Sequence, residues 1–123
     1  MNKKIIFTPN APAPIGPYSQ AVLVENTLYV SGQIAADKAL AGVNIQDETT
    51  QVLMYLKAIV EASGMTFDDV VKCSIFVKNM GDFGLINQVY ADFFVENPPA
   101  RETVEVSALP KNVNIEISCI AVK

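Results

Sequence analysis

The residue best placed to do chemistry is Arg101, in the stretch Pro98-Pro99-Ala100-Arg101-Glu102-Thr103-Val104-Glu105-Val106. It is the chain's only arginine; the other eight cations are lysines. Two prolines precede it and β-branched residues follow, so it opens a strand. Alternation then places Arg101, Thr103 and Glu105 on one face and Glu102, Val104 and Val106 on the other. A guanidinium fixed beside apolar strand residues suits a two-point grip on a small carboxylate. The plainer alternative is a surface arginine in a weak ion pair with a nearby glutamate, and residue types alone leave both open.

What is missing narrows the chemistry further. The chain has no histidine, which removes the commonest general base, the Ser-His and Cys-His nucleophile systems and most zinc sites. Catalysis would have to rest on carboxylates, hydroxyls, backbone groups, lysine or Arg101. The two cysteines, Cys73 and Cys119, lie far apart and outside any metal-ligand spacing. Each falls in an apolar strand pattern, as expected of buried free thiols in a reducing compartment.

A chain of 123 residues is expected to form one domain, residues 1–123, with a real core. Half its residues are hydrophobic and 18% are charged, below the roughly 25% usual for soluble domains. That apolar surplus hints at an interface as well as a core. A net charge of −4 and a single arginine argue against a nucleic-acid partner. Met1-Asn2-Lys3-Lys4 resembles the start of a signal peptide, but Ile5-Ile6-Phe7 is too short for its apolar core. No span approaches the ~20 apolar residues that cross a bilayer, so a cytoplasmic protein away from membranes is expected.

The elements that must position the chemistry follow in order. Lys3 to Thr8 reads as a first strand. Pro9 to Pro17 carries four prolines and forms a stiff extended loop delivering Tyr18-Ser19-Gln20. The Tyr18 hydroxyl there either meets a ligand or its ring caps the core. Ala21–Val24 and Thr27–Ser31 form a hairpin turned at Glu25-Asn26, with Asn the residue suited to left-handed backbone. Ser31-Gly32-Gln33 breaks the strand, and Gly32 permits close approach by a neighbour or ligand. Ala35 to Asn44 reads as exposed loop.

Asp47 is placed to cap a helix whose Val52, Leu53, Leu56, Ile59 and Val60 recur at helical spacing up to Gly64. In a strand over Val70–Lys78, Val71, Cys73, Ile75 and Val77 share one face, with Val70 and Phe76 on the other. Asp82 caps a second helix whose buried stripe is Phe83, Ile86, Val89, Tyr90 and Phe93. Asn87 edges that stripe, bonding a ligand or backbone group or facing solvent. After a turn at Leu109 to Asn112, a last strand over Val113–Val122 carries Glu116 in mid-strand between short polar neighbours, where glutamates are ordinary. The expected fold is α+β, a six-stranded mixed sheet with two helices on one face.

Taken together, several stretches resemble the reactive intermediate deaminase (Rid) family in its imine-hydrolysing branch. They are Ile15-Gly16-Pro17-Tyr18-Ser19-Gln20, Ser31-Gly32-Gln33, Lys72 to Lys78, Pro99-Ala100-Arg101 with Val104-Glu105-Val106, and Leu109-Pro110-Lys111 followed by Ile115-Glu116-Ile117. The set runs collinearly through almost the whole chain. The resemblance implies a chorismate-mutase-like fold and a homotrimer with clefts between subunits. It also implies hydrolysis of 2-imino acids such as 2-iminobutanoate and 2-iminopropanoate to 2-oxo acids and ammonia. By position, Arg101 would hold the substrate carboxylate and Glu116 would position and activate water. Tyr18, Ser31, Gly32, Asn87 and Thr103 would line the cleft. Arg101 and Glu116 are expected from one chain, with Tyr18 from its neighbour.

A protonated imine is already electrophilic, so no metal or cofactor is implied. Thr103 stands where many members of that branch carry cysteine, Glu102 replaces a small polar residue, Ser118 stands for a frequent second glutamate, and the Val95–Pro98 loop is shorter than usual. The leading alternative function is a trimer that binds small carboxylates, or holds unfolded chains, without turnover. An endoribonuclease is disfavoured by the acidic charge, and a chorismate mutase by one arginine facing a dianion.

Overall fold

The computed structural model describes residues 2–123. Its strands are β1 (Lys3–Ile6), β2 (Ala21–Val24), β3 (Thr27–Gln33), β4 (Val70–Val77), β5 (Ala100–Glu105) and β6 (Ile115–Val122). Its helices are α1 (Ala36–Leu40), α2 (Ile45–Ala62) and α3 (Phe83–Phe93). The strands form one six-stranded sheet in the order β1-β2-β3-β6-β4-β5. Only β4 and β5 run parallel, joined through α3; every other pairing is antiparallel. The α+β expectation therefore holds.

One face of the sheet is buried. Cys73, Ile75 and Val77 of β4 and Ile115, Ile117 and Cys119 of β6 meet Val52, Leu53, Leu56, Ile59 and Val60 of α2, none more than 4% exposed. Each large aliphatic there contributes roughly 1.5–3 kcal/mol relative to exposure. On the other face Ile5, Tyr29 and Val104 are 51, 51 and 41% exposed. The half-buried Phe76 and Ile120 share that face.

Several local expectations are corrected. Ala36–Leu40 is a short helix rather than loop. Helix α2 is capped by Asn44, whose Oδ1 accepts the Asp47 N–H at 2.8 Å, so Asp47 sits inside the first turn. Asp82 makes no side-chain cap to α3. In the β2–β3 turn it is Glu25 that takes left-handed backbone, φ 54°. The faces of Val70 and Val71 are exchanged: Val70 is buried and Val71 is 47% exposed. A bulge between Val70 and Lys72 shifts the register by one residue, and one residue inverts the alternation.

Two buried polar side chains fix the parts of the chain that reach the site. Gln20, 2% exposed, accepts from the Thr8 N–H at 2.8 Å and donates to the Thr8, Ala11 and Pro12 carbonyls at 3.1, 3.3 and 3.0 Å. It staples the proline loop against β2. Glu48 is fully buried and its carboxylate accepts from the Asn114 N–H at 2.8 Å and Asn114 Nδ2 at 2.7 Å. That clamp holds Asn114, the residue before β6 and two before Glu116. Glu48→Ala strands both donors, so a denaturant melt should show a loss of roughly 2–4 kcal/mol.

Candidate functional site

Strand geometry divides the expected site residues into two groups on opposite faces of the sheet. Arg101 pairs with Cys73, a buried residue of the helix-covered face. Glu116 pairs with Phe76 and lies between buried Ile115 and Ile117, so it points to the open face. Val104 is on the same rung as Phe76 and Glu116; Arg101 is three residues away from it along β5. Arg101 and Glu116 of one chain therefore do not meet, contrary to the expectation from the motifs.

The Glu116 group is built on β6, β3 and the proline loop. A bulge between Val30 and Gln33 brings Gly32 against the Glu116 side chain: a methyl group on Gly32 would lie 2.8 Å from the carboxyl carbon. Nothing larger than glycine leaves the carboxylate where it is. Ser31 donates its hydroxyl to the Ser19 carbonyl at 2.6 Å. The Tyr18 oxygen accepts the Ile15 N–H at 3.3 Å, leaving the phenolic proton free to donate. Tyr18, Ser31, Gly32 and Glu116 line one groove of about 350 Å³ with Ile15 and Pro110. Tyr18 thus belongs to the Glu116 side of its own chain. Burial raises the Glu116 carboxyl above its ordinary 4.5, and no hydrogen bond to it is present among the described residues.

The Arg101 group is built on β5 and α3. Arg101, Asn87 and Tyr90 line a second groove of about 330 Å³, with Pro98 and Pro99 at its edge. Asn87 Oδ1, the Tyr90 hydroxyl and Thr103 Oγ1 are buried and lack hydrogen-bond partners. The Tyr90 hydroxyl faces the Cys73 thiol without completing a bond by distance and angle. Burial pushes that thiol up, against weaker opposing pulls from Tyr90 and Arg101, so a thiolate role is unfavourable. Glutamate pairing does not occupy Arg101. The strand's ion pair is Lys72 with Glu102 at 3.1 Å, reinforced by a Ser74 hydrogen bond to Glu102, on the other face.

Sequence reasoning did not find Gln20 or Glu48 as positioning residues, because their partners are remote backbone groups. It counted Phe83 as core, whereas Phe83 is 40% exposed and its ring centroid lies 5.6 Å from the Arg101 guanidinium carbon. The buried apolar members of α3 are Ile86, Val89 and Tyr90.

The two grooves are small and open, and each carries one charged side chain, Glu116 in one and Arg101 in the other. Among the described residues no helix is long and apolar enough to cross a membrane, and no cluster has a metal-binding donor set. A family profile described as endoribonuclease L-PSP matches residues 8–123. A RutC family protein of Pyrococcus horikoshii is 51% identical over 124 residues, covering 98% of each chain. A 2-iminobutanoate/2-iminopropanoate deaminase of Dermatophagoides farinae is 52% identical, covering 98% of this chain and 96% of that one. The crystal structure of E. coli TdcF with bound serine superposes with a TM-score of 0.89 at 40% identity, covering 98% of both chains. Sheet and sequence thus agree with these matches, and the chain belongs to the endoribonuclease L-PSP family, which includes the Rid proteins its motifs resemble.

Proposed function

We propose that the protein hydrolyses short 2-imino acids to 2-oxo acids and ammonia, in clefts that each draw one groove from each of two chains. The observation that carries this reading is the division of the site. Among the described residues, one face holds an unpaired cation beside unpartnered polar atoms, and the other holds an unpaired carboxylate. Each supplies what the other lacks, and only a second copy can bring them together. Two different surfaces meeting head to tail close into a ring; the resemblance to Rid proteins supplies the number three. The exposed apolar residues of the open sheet face would be covered in such a ring. The deaminase name of one relative and the amino acid bound to another support the substrate class.

In the proposed mechanism, Arg101 of one chain holds the substrate carboxylate through two charge-assisted hydrogen bonds. Asn87 and Thr103 flank it. Glu116 of the next chain accepts a proton from water as the oxygen adds to the iminium carbon, giving a carbinolamine. Glu116 then returns the proton to nitrogen. The carbon–nitrogen bond breaks, ammonia leaves, and loss of the hydroxyl proton gives the 2-oxo acid. Tyr18 donates to the ligand and Ser31 and Gly32 shape its seat. Holding water and imine together supplies most of the barrier reduction, and a carboxylate raised toward neutrality is a better base. The family profile's ribonuclease description finds less support here, since a chain of net charge −4 with one arginine offers a polyanion little.

The test is to generate 2-iminobutanoate with a threonine dehydratase in the presence of semicarbazide and measure whether the protein outcompetes the trap. A rate equal to that without protein would favour a non-catalytic carboxylate-binding trimer. Arg101→Ala and Arg101→Lys should each weaken substrate binding roughly tenfold to a hundredfold or more, because an ammonium cannot reproduce the planar grip. Glu116→Gln should lower kcat more than it raises KM. Wild-type activity should fall as acid protonates Glu116, and that limb should be missing from the residual activity of Glu116→Gln. Gly32→Ala meets only a flexible side-chain end, so its melting temperature should change little while its turnover falls with the displaced carboxylate. Full activity in a folded Gly32→Ala protein would contradict this role for Glu116.

A further inference from the structure

Arg101 is supported in a way the hydrolysis scheme does not use. Its guanidinium carbon lies 4.8 Å from the Tyr90 ring centroid and 5.6 Å from that of Phe83. Among the described residues it has no hydrogen bond and no carboxylate within ion-pair distance. Phe83, Asn87 and Tyr90 fall at positions i, i+4 and i+7 of α3, one stripe of the helix. That stripe faces Arg101 and Thr103 on β5. Tyr90 is buried, 6% exposed, and anchored in the core beside Phe94, the two ring centroids 4.7 Å apart. Its ring is therefore a fixed support.

The manner of support has a chemical consequence. A glutamate would hold a guanidinium by taking two of its donors and cancelling its charge. An aromatic face attracts the cation through the ring quadrupole and takes none of its five N–H donors. We infer that Tyr90 and Phe83 form an aromatic clamp that positions Arg101 for a carboxylate while leaving its charge and donors free, an inference that rests on the proposed role of Arg101. The clamp belongs to the rings. The Tyr90 hydroxyl is directed at Cys73 and has no hydrogen-bond partner, so phenylalanine supplies the same support at that position. It also accounts for arginine rather than lysine here, because a planar guanidinium stacks on a ring in a way a compact, strongly hydrated ammonium does not.

The test measures binding of 2-oxobutanoate by NMR titration, alongside KM and kcat for imine hydrolysis. Phe83→Leu, at a partly exposed position, should weaken binding about twofold to fivefold, and Tyr90→Leu up to about thirtyfold. KM should rise in parallel and kcat should change less. Tyr90→Phe should keep most of the affinity that Tyr90→Leu loses. A purely structural effect would instead lower the active fraction, and hence kcat, while leaving the dissociation constant unchanged. If Tyr90→Leu fails to fold, Phe83→Leu and the paired comparison with Phe83→Tyr still decide the matter. Unchanged binding in the folded leucine variants, with Arg101→Ala binding lost, overturns the clamp alone. No binding by the unaltered protein overturns the carboxylate reading and the clamp with it.

Discussion

The twofold periodicity of a β-strand governs this molecule. Because β4 aligns Cys73 with Arg101 on one side and Phe76 with Glu116 on the other, the cation and the acid are committed to opposite faces. No side-chain rotation reverses that, since the sheet between them is one densely packed layer. A sheet normally resolves such a conflict by covering one face and wetting the other. Here both faces carry polar groups without partners among the described residues beside apolar ones, which is why the proposed cleft draws on two chains.

The rest of the scaffold holds these two groups in place. The Gln20 staple ties four backbone groups of the N-terminal loop to β2 and so fixes Tyr18 near Ser31. The Glu48 clamp holds Asn114, the residue before β6, and so fixes the phase of Glu116. A bulge at Ser31–Gly32 presses a side-chain-free residue onto Glu116. Arg101 is held from the helix layer by two rings. Hydrogen-bonded buried groups hold the frame, while three of the four buried side-chain atoms without partners among the described residues, on Asn87, Tyr90 and Thr103, lie on the Arg101 side; the fourth is Thr49 Oγ1 in α2. Buried polar atoms cost about 1–3 kcal/mol when unpaired, a cost that the proposed substrate would relieve.

Much of this was legible in sequence because it is local. Apart from the short helix α1, the β-β-β-α-β-α-β-β order follows from periodicity and turn residues, and the core stripe of α2 is the one the spacing marks. What was not legible is tertiary. A bulge adds one residue without a composition signal, which exchanged Val70 and Val71. Alternation along β5 names two faces but not which one turns inward. The apolar Val104 suggests its own side, yet the Arg101 and Thr103 side faces α3 because Tyr90 and Phe83 offer aromatic surface there. Asn44 rather than Asp47 caps α2 because the helix begins at Ile45, which puts the Asp47 N–H within reach of the Asn44 side chain. Of the residues named from the resemblance, Tyr18, Ser31, Gly32 and Glu116 line one groove and Asn87 and Arg101 the other, while Thr103 shares the Arg101 face without lining either. Their partition between faces needed the register.

The central claim, that one working cleft takes Arg101 from one chain and Glu116 from another, is tested most directly by mixing. Arg101→Ala and Glu116→Gln chains are unfolded, combined in equal amounts, refolded together and assayed for 2-iminobutanoate consumption. In a cyclic assembly, random mixing leaves about one cleft in four with both residues intact, so activity should return to about a quarter of the unaltered level. Activity no higher than the mean of the two variants refolded separately, in a sample shown to contain mixed oligomers, would contradict the account.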